Sequence, residues 1–391
     1  MGDRQEVTAE KMAAGGDALA HLGDGRVVFV DGALPGERVV VDVHTSKKDF
    51  ARARVLDVLD PSLARVAPPC PAVAAGCGGC GWQHVDPAAQ LGLKTDVVRE
   101  AFARTARMPS AVVTAGASVP AWGYRTTLRL AVAPNGRVGL RAAASHRVVE
   151  LADCPVAHPL LAGLLPGLRV RGADEVTVRV SVATGEVTAL PSAAGAVVDG
   201  LPDGAGVGPA AVLHETVAGV PLRVSATSFF QSGPAAAELL VATVRAALAD
   251  APAGGRFLDA YGGVGLLAAT GSDGPVVLVE SAASSCADAA VNLGERATIV
   301  PSPFERWRPQ PVDVAVADPA RAGLGKEGAA VLAATGAPRL VLVSCDPVAA
   351  ARDAALLAGL GYRHVESTVL DLFPQTHHVE VVTRFARGTG D

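Results

Sequence analysis

Three cysteines fall within eleven positions in CPAVAAGCGGC, Cys70, Cys77 and Cys80, and a fourth, Cys154, stands far down the chain in ELADCP. Six cysteines in 391 residues are too sparse for a disulfide framework, and a chain that reads as cytoplasmic keeps its thiols reduced. The four thiols therefore pose a question of shared ligation. A fifth, Cys345, ends the apolar run RLVLVSCDP, on the edge where parallel sheets place their ligands. Asp346 and Pro347 read as a cap and first helical turn, whose partial positive charge favours a thiolate at Cys345. The competing reading is a small buried hydrophobe, which is what most free cysteines are. Cys286, in SSCADAAV, has no such setting and reads as structural.

A second chemical signal is RFLDAYGGVGLLAA, a buried strand running through Asp259 into Gly262, Gly263 and Gly265 and then a helix. Glycines admit a ligand close to the backbone at the end of the first strand. Glu280, ending the next strand, can accept from ribose hydroxyls. The spacing departs from the three-glycine dinucleotide fingerprint, and Asp259 would repel a pyrophosphate. S-adenosylmethionine (SAM), which carries no phosphate, fits better than NAD.

These residues need elements to position them. Residues 25–60 read as short strands with Pro/Gly turns, a small barrel or meander, in which Lys47, Lys48, Arg52, Arg54 and Phe50 form either an RNA-contacting strip or a solvated face. Asp86 and Pro87 open a helix through PAAQLGLKTDVVREAFART, with Leu91, Val98, Ala101 and Phe102 on one face. From about Trp122 to Leu222 hairpin patterns predict an antiparallel region. After about Ser225 helices alternate with continuous apolar runs, predicting a doubly wound α/β sheet. The expected domains are a β-barrel over 1–66, a β-rich central domain over 67–222 carrying the cysteines, and a Rossmann-like α/β domain over 223–391.

Composition sets limits. Charges such as Glu280 and Arg339 interrupt the apolar runs before they reach membrane-spanning length, so no transmembrane helix is expected. The polar start MGDRQEVTAEK carries no apolar targeting core. A net charge of -5 is awkward for a nucleic-acid binder and demands a local basic face; only 5 of the 34 basic residues are lysines, an arginine excess that suits planar, bidentate contacts. Nothing in the sequence points to an obligatory protein partner.

The segments CGGCGWQH, SFFQSGPAAAELL, LDAYGGVG, ADPARAGLG, VSCDPVAAARD and LDLFPQTHHVE, in that order, resemble the RNA 5-methyluridine methyltransferase family. GALPGERV is similar to the TRAM domain at the front of many members. The resemblance runs from about Val27 to the C-terminus and implies a SAM-dependent enzyme acting on tRNA or rRNA. It assigns Cys345 as the nucleophile that adds to uracil C6 and Glu380, after FPQTHH, as the base that removes the C5 proton; the alternative for Glu380 is a solvated strand carboxylate. The two histidines before Glu380 read as structural. Cofactor contacts carry over to Gln231, Tyr261, Glu280 and Asp318. Leu266 and Gly233 depart from the family pattern, each standing where asparagine is usual. The resemblance also implies a 4Fe-4S cluster on Cys70, Cys77, Cys80 and Cys154, although tetrahedral sulfur ligation suits zinc equally. A SAM-dependent methyltransferase for small molecules and a non-catalytic RNA-binding iron-sulfur protein are the competing functions.

Overall fold

The structure is a computed structural model and describes residues 3–388. The N-terminal unit is a six-stranded sheet in the spatial order Asp3–Thr8, Arg38–Ser46, Phe50–Asp60, Val27–Asp31, Ala18–His21, Lys11–Met12. Strands were expected only from residue 25; three more lie before it. Two of them carry little periodicity, since DRQEVT buries only Val7 and KM is two residues long. Alternation in RVVVDV turns Val39 and Val41 inward, both fully buried with Val28, Val30 and Leu34. Three register shifts between Arg38–Ser46 and Phe50–Asp60 mark bulges, which bend the pair around this core.

The central region contains the two expected hairpins. Ala131 pairs with Gly139 across the PNG turn, where Gly136 has φ 79°, and Val180 pairs with Val187. These strands belong to a second six-stranded sheet running from Val148–Glu150 to Gly206–Val207.

The α/β sheet has eight strands in the order Ala297–Pro301, Val276–Glu280, Phe257–Ala260, Val314–Ala317, Arg339–Ser344, Glu380–Arg387, Tyr362–Asp371, Val113–Ser118. The first five are mutually parallel and Glu380–Arg387 is antiparallel to both its neighbours. Leu340, Val341, Leu342 and Val343 are all fully buried, as strands covered on both faces require. The edge strand Val113–Ser118 comes from the segment expected in the central domain, and helix Pro87–Arg104 comes with it. Asp86 caps that helix through Ala88 N at 2.9 Å, and Val98 and Phe102 enter the same core as Leu340 and Phe385. Residues 87–118 thus pack as part of the α/β layer. Apart from the buried Val113, the strand VTAGAS is made of small, exposed residues without alternation, and nothing in its sequence announces a strand.

Candidate active site

The cofactor edge is built where the parallel strands end. After Ala260 the chain turns sharply: Tyr261 has φ 59°, Gly263 φ 54° and Gly265 φ 85°, and the helix Leu266–Gly271 begins. A left-handed tyrosine is strained, which marks the turn as a constrained site rather than an incidental connection. Glu280 is tied to the same turn, accepting from Gly263 N at 3.1 Å with one oxygen and from Ser281 N and Ala282 N, each at 2.7 Å, with the other. The Tyr261 hydroxyl donates to Glu305 at 2.6 Å, and its ring lies 5.0 Å from that of Phe304.

Gln231 is buried at the end of the SFFQ loop. That loop is anchored by Asp288, fully buried, which accepts from Ser225 N at 2.8 Å, from the Ser228 hydroxyl at 2.6 Å and from Arg223. Arg179 of the central sheet grips the same loop through the carbonyls of Ser225 and Ser228. Gly233 follows, where a Cβ would run into the Tyr124 carbonyl oxygen, so this backbone excludes the asparagine usual in the family. Leu266 is buried at the start of its helix, an apolar position here.

Cys345 and Glu380 leave adjacent strands. The antiparallel register pairs Ser344 with Val381, so one step further Cys345 lies opposite Glu380. Asp318 follows the strand on the other side of Cys345, where Ala317 pairs with Leu342. Three neighbouring strand ends therefore bring a thiol and two carboxyls together. Glu380 is 5% exposed and its Oε1 has no hydrogen-bond partner. Burial, reinforced by the Asp318 charge, holds the Glu380 carboxyl well above the usual range, and burial also raises Asp318. Burial together with the charges of Glu380 and Asp318 pushes the Cys345 thiol up to about 11, against a lowering by Arg321. The expected depression by the helix start is not realised. Asp346 itself occupies that terminus, accepting from Val348 N at 3.0 Å and Ala349 N at 2.8 Å.

Beside Asp259, whose unpartnered Oδ1 is buried, the edge gathers three more acids, Glu280, Asp318 and Glu380. Such a site suits a cationic ligand and repels a pyrophosphate. A pocket opens over Cys345, lined also by Lys94, Trp82, Arg321, His378 and the Ala13–Gly15 turn of the N-terminal sheet. Arg321 reaches His378 Nδ1 at 3.1 Å. Arg321 stands three residues after Asp318 within ADPARAG and was open to notice; Lys94 and Trp82 carry no local signal and become visible only in the fold.

Cys70, Cys77, Cys80 and Cys154 line one cavity, walled by Leu140, Leu151 and Val156. All four are free thiols, and burial raises Cys77, Cys154 and Cys80, the last to about 11. Among the described residues no three His, Cys, Asp or Glu side chains are grouped so as to hold a single metal ion. Of the N-terminal basic strip, Arg52 pairs with Asp17 at 3.0 Å and lies over the Phe29 ring, and Arg54 pairs with Asp42 at 3.3 Å, while Phe50 is 37% exposed. No helix among the described residues is long and apolar enough to cross a membrane.

The TRAM domain family matches residues 1–56. The uncharacterized RNA methyltransferase SCO5901 of Streptomyces coelicolor is 35% identical, with 98% of this chain and 92% of the relative covered. The 23S rRNA (uracil(1939)-C(5))-methyltransferase RlmD of Methylococcus capsulatus is 33% identical, with 99% of each chain covered. The crystal structure of the Pyrococcus abyssi tRNA (uracil-54, C5)-methyltransferase in complex with S-adenosyl-L-homocysteine superposes with a TM-score of 0.70 at 22% identity, covering 97% of this chain and 99% of that one, and so shares the fold. With this site on this fold and about a third of its residues in common with such relatives over nearly their whole length, the chain belongs to the RNA 5-methyluridine methyltransferase family.

Proposed function

We propose that the protein is a cytoplasmic SAM-dependent enzyme that forms 5-methyluridine in tRNA or rRNA through a covalent Cys345–uracil adduct. The observation that carries the reading is the strand register, Ser344 against Val381, that brings Cys345 and Glu380 to neighbouring strand ends at the acidic edge of the sheet. Uracil C5 is a poor nucleophile until a thiolate adds at C6 and makes it part of an enolate. Cys345, which faces an open pocket, releases its thiol proton to solvent and supplies that sulfur. SAM supplies an electrophilic methyl group on a sulfonium. Once C5 carries the methyl group, Glu380 takes the C5 proton, and the C6–S bond breaks to return the Cys345 thiolate. Glu380 suits this step because it is buried with an unpartnered oxygen. Asp318 and Glu280 present carboxylates to a cationic, ribose-bearing cofactor, with Gln231 and the Tyr261 ring as further walls. Nucleoside mass spectrometry of tRNA and rRNA from a deletion strain tests the reading: 5-methyluridine disappears from one of the two, and undiminished 5-methyluridine in both contradicts it.

We infer in addition that Cys70, Cys77, Cys80 and Cys154 hold a 4Fe-4S cluster. All-sulfur donors lining a common apolar cavity suit it. The cluster would tie residues 70–80 to the central sheet. Anaerobically purified protein is expected to be brown and to contain iron and sulfide; stoichiometric zinc without iron contradicts the assignment.

A further inference from the structure

Lys94 lies in helix Pro87–Arg104 and is 1% exposed. Its Nζ donates to Asp371 Oδ1 at 2.6 Å and to the Phe373 carbonyl at 3.3 Å, and stands 5.8 Å from the centroid of the Trp82 ring. The two hydrogen bonds reach the last residue of strand Tyr362–Asp371 and the segment that joins it to strand Glu380–Arg387. One turn earlier, Gln90 Oε1 accepts from Gln375 N at 2.7 Å and Gln90 Nε2 donates to Gln375 Oε1 at 3.2 Å. Gln375 is held at φ 68°, an unfavourable conformation for a side chain with a Cβ. The Trp82 amide adds a bond to the Gln375 carbonyl at 2.9 Å, and the Tyr124 hydroxyl one to Pro374 at 3.0 Å.

The gripped loop, residues 372–379, carries His377 and His378 into the pocket that also exposes Cys345. Its ends are fixed beside the base, since Leu370 pairs with Glu380 in the ladder. The same helix packs against Pro347–Gly359, the helix directly behind Cys345. Lys94 and Asp371 are each 1% exposed, and a well-packed apolar pair would join two elements at least as stably. What the ion pair adds is a single permitted register between helix and loop.

We propose that Lys94 is a positioning residue for the reaction: through Asp371, and with the Gln90–Gln375 amide pair, it holds loop 372–379, and with it Glu380 at the loop's end, in place to remove the C5 proton from the uracil adduct. This rests on the roles given to Cys345 and Glu380 above. Lys94→Met alone strands a buried carboxylate, so the test uses Lys94→Met/Asp371→Asn, together with Gln90→Met, which disturbs the other half of the grip without touching a charge. In both, SAM affinity by calorimetry and KM for RNA stay near wild type while kcat falls about tenfold or more, the size of effect a misplaced reacting group produces. A larger share of protein also runs as an RNA adduct on denaturing gels. RNA containing 5-fluorouridine, which offers no C5 proton, supplies the reference adduct, and both variants form it as wild type does. Unchanged kcat in either folded variant, or a parallel loss of SAM affinity, RNA affinity and kcat, overturns the proposal. A wild-type protein that forms no adduct with the fluorinated RNA sinks the chemistry itself; a wild-type adduct with unchanged kcat in the variants sinks the positioning role alone.

Discussion

Cys345 is subject to two opposed influences. A position just before a helix favours the thiolate, but Asp346 caps that helix from within, and burial with the carboxylates of Glu380 and Asp318 pushes the thiol up to about 11. The sign follows directly. With its value raised, Cys345 is a neutral thiol at pH 7 in the ligand-free protein, and its thiolate fraction rises about tenfold per pH unit until the raised value is reached. Alkylation of Cys345 by iodoacetamide, followed by mass spectrometry, is therefore expected to be slow at neutral pH and to accelerate steadily through pH 10. Glu380→Gln removes one of the raising charges and shifts that profile to lower pH; a profile levelling off near neutrality, or one unmoved by the substitution, contradicts this electrostatic account. Cys345 and Glu280 were legible because each ends a strongly patterned apolar run, whereas Glu380, Asp318, Tyr261 and Gln231 came only through the family resemblance. Their mutual influence was not legible, since it depends on the order of strands that are distant in sequence.

At the scale of elements, the glycine-rich turn, the cap at Asp86 and the two hairpins follow from local rules, and the sequence displayed them. Val113–Ser118 and the strands before residue 25 did not show, because an edge strand of small residues or a two-residue strand has no periodicity to read. Gly233 illustrates a different limit. In sequence it is only a departure from the family pattern, whereas the fold brings the Tyr124 carbonyl so close that no side chain fits. Gly233→Ala is expected to destabilise the protein by about 1–3 kcal/mol in urea titrations, because the SFFQ loop and Tyr124 must move apart. It is also expected to weaken SAM binding through Gln231. Wild-type stability would mean that the backbone here yields freely.

The whole molecule is more interwoven than a division at residues 66 and 222 implies. The α/β sheet takes its last strand from residues 113–118, and its core takes Val98 and Phe102 from a helix before them. A fragment comprising residues 223–391 is accordingly expected to be insoluble or to lack a cooperative thermal transition, while a well-folded fragment by near-ultraviolet circular dichroism would show that residues 87–118 are dispensable to the layer. The N-terminal sheet is equally engaged, since its Ala13–Gly15 turn lines the pocket over Cys345 and Trp82 bonds the Gly16 carbonyl at 3.0 Å. These joins lie between segments far apart in sequence, beyond the reach of patterns read in short windows. The claim on which the rest depends is that Cys345 opens the reaction and Glu380 closes it. Incubating RNA and labelled SAM with each variant and resolving the products on a denaturing gel tests it most directly. A labelled protein–RNA band is expected to accumulate in Glu380→Gln, where the methylated adduct forms but keeps its C5 proton, with no band or turnover in Cys345→Ala. Normal turnover by Cys345→Ala, or no band from a Glu380→Gln protein that still binds SAM and RNA, would contradict it.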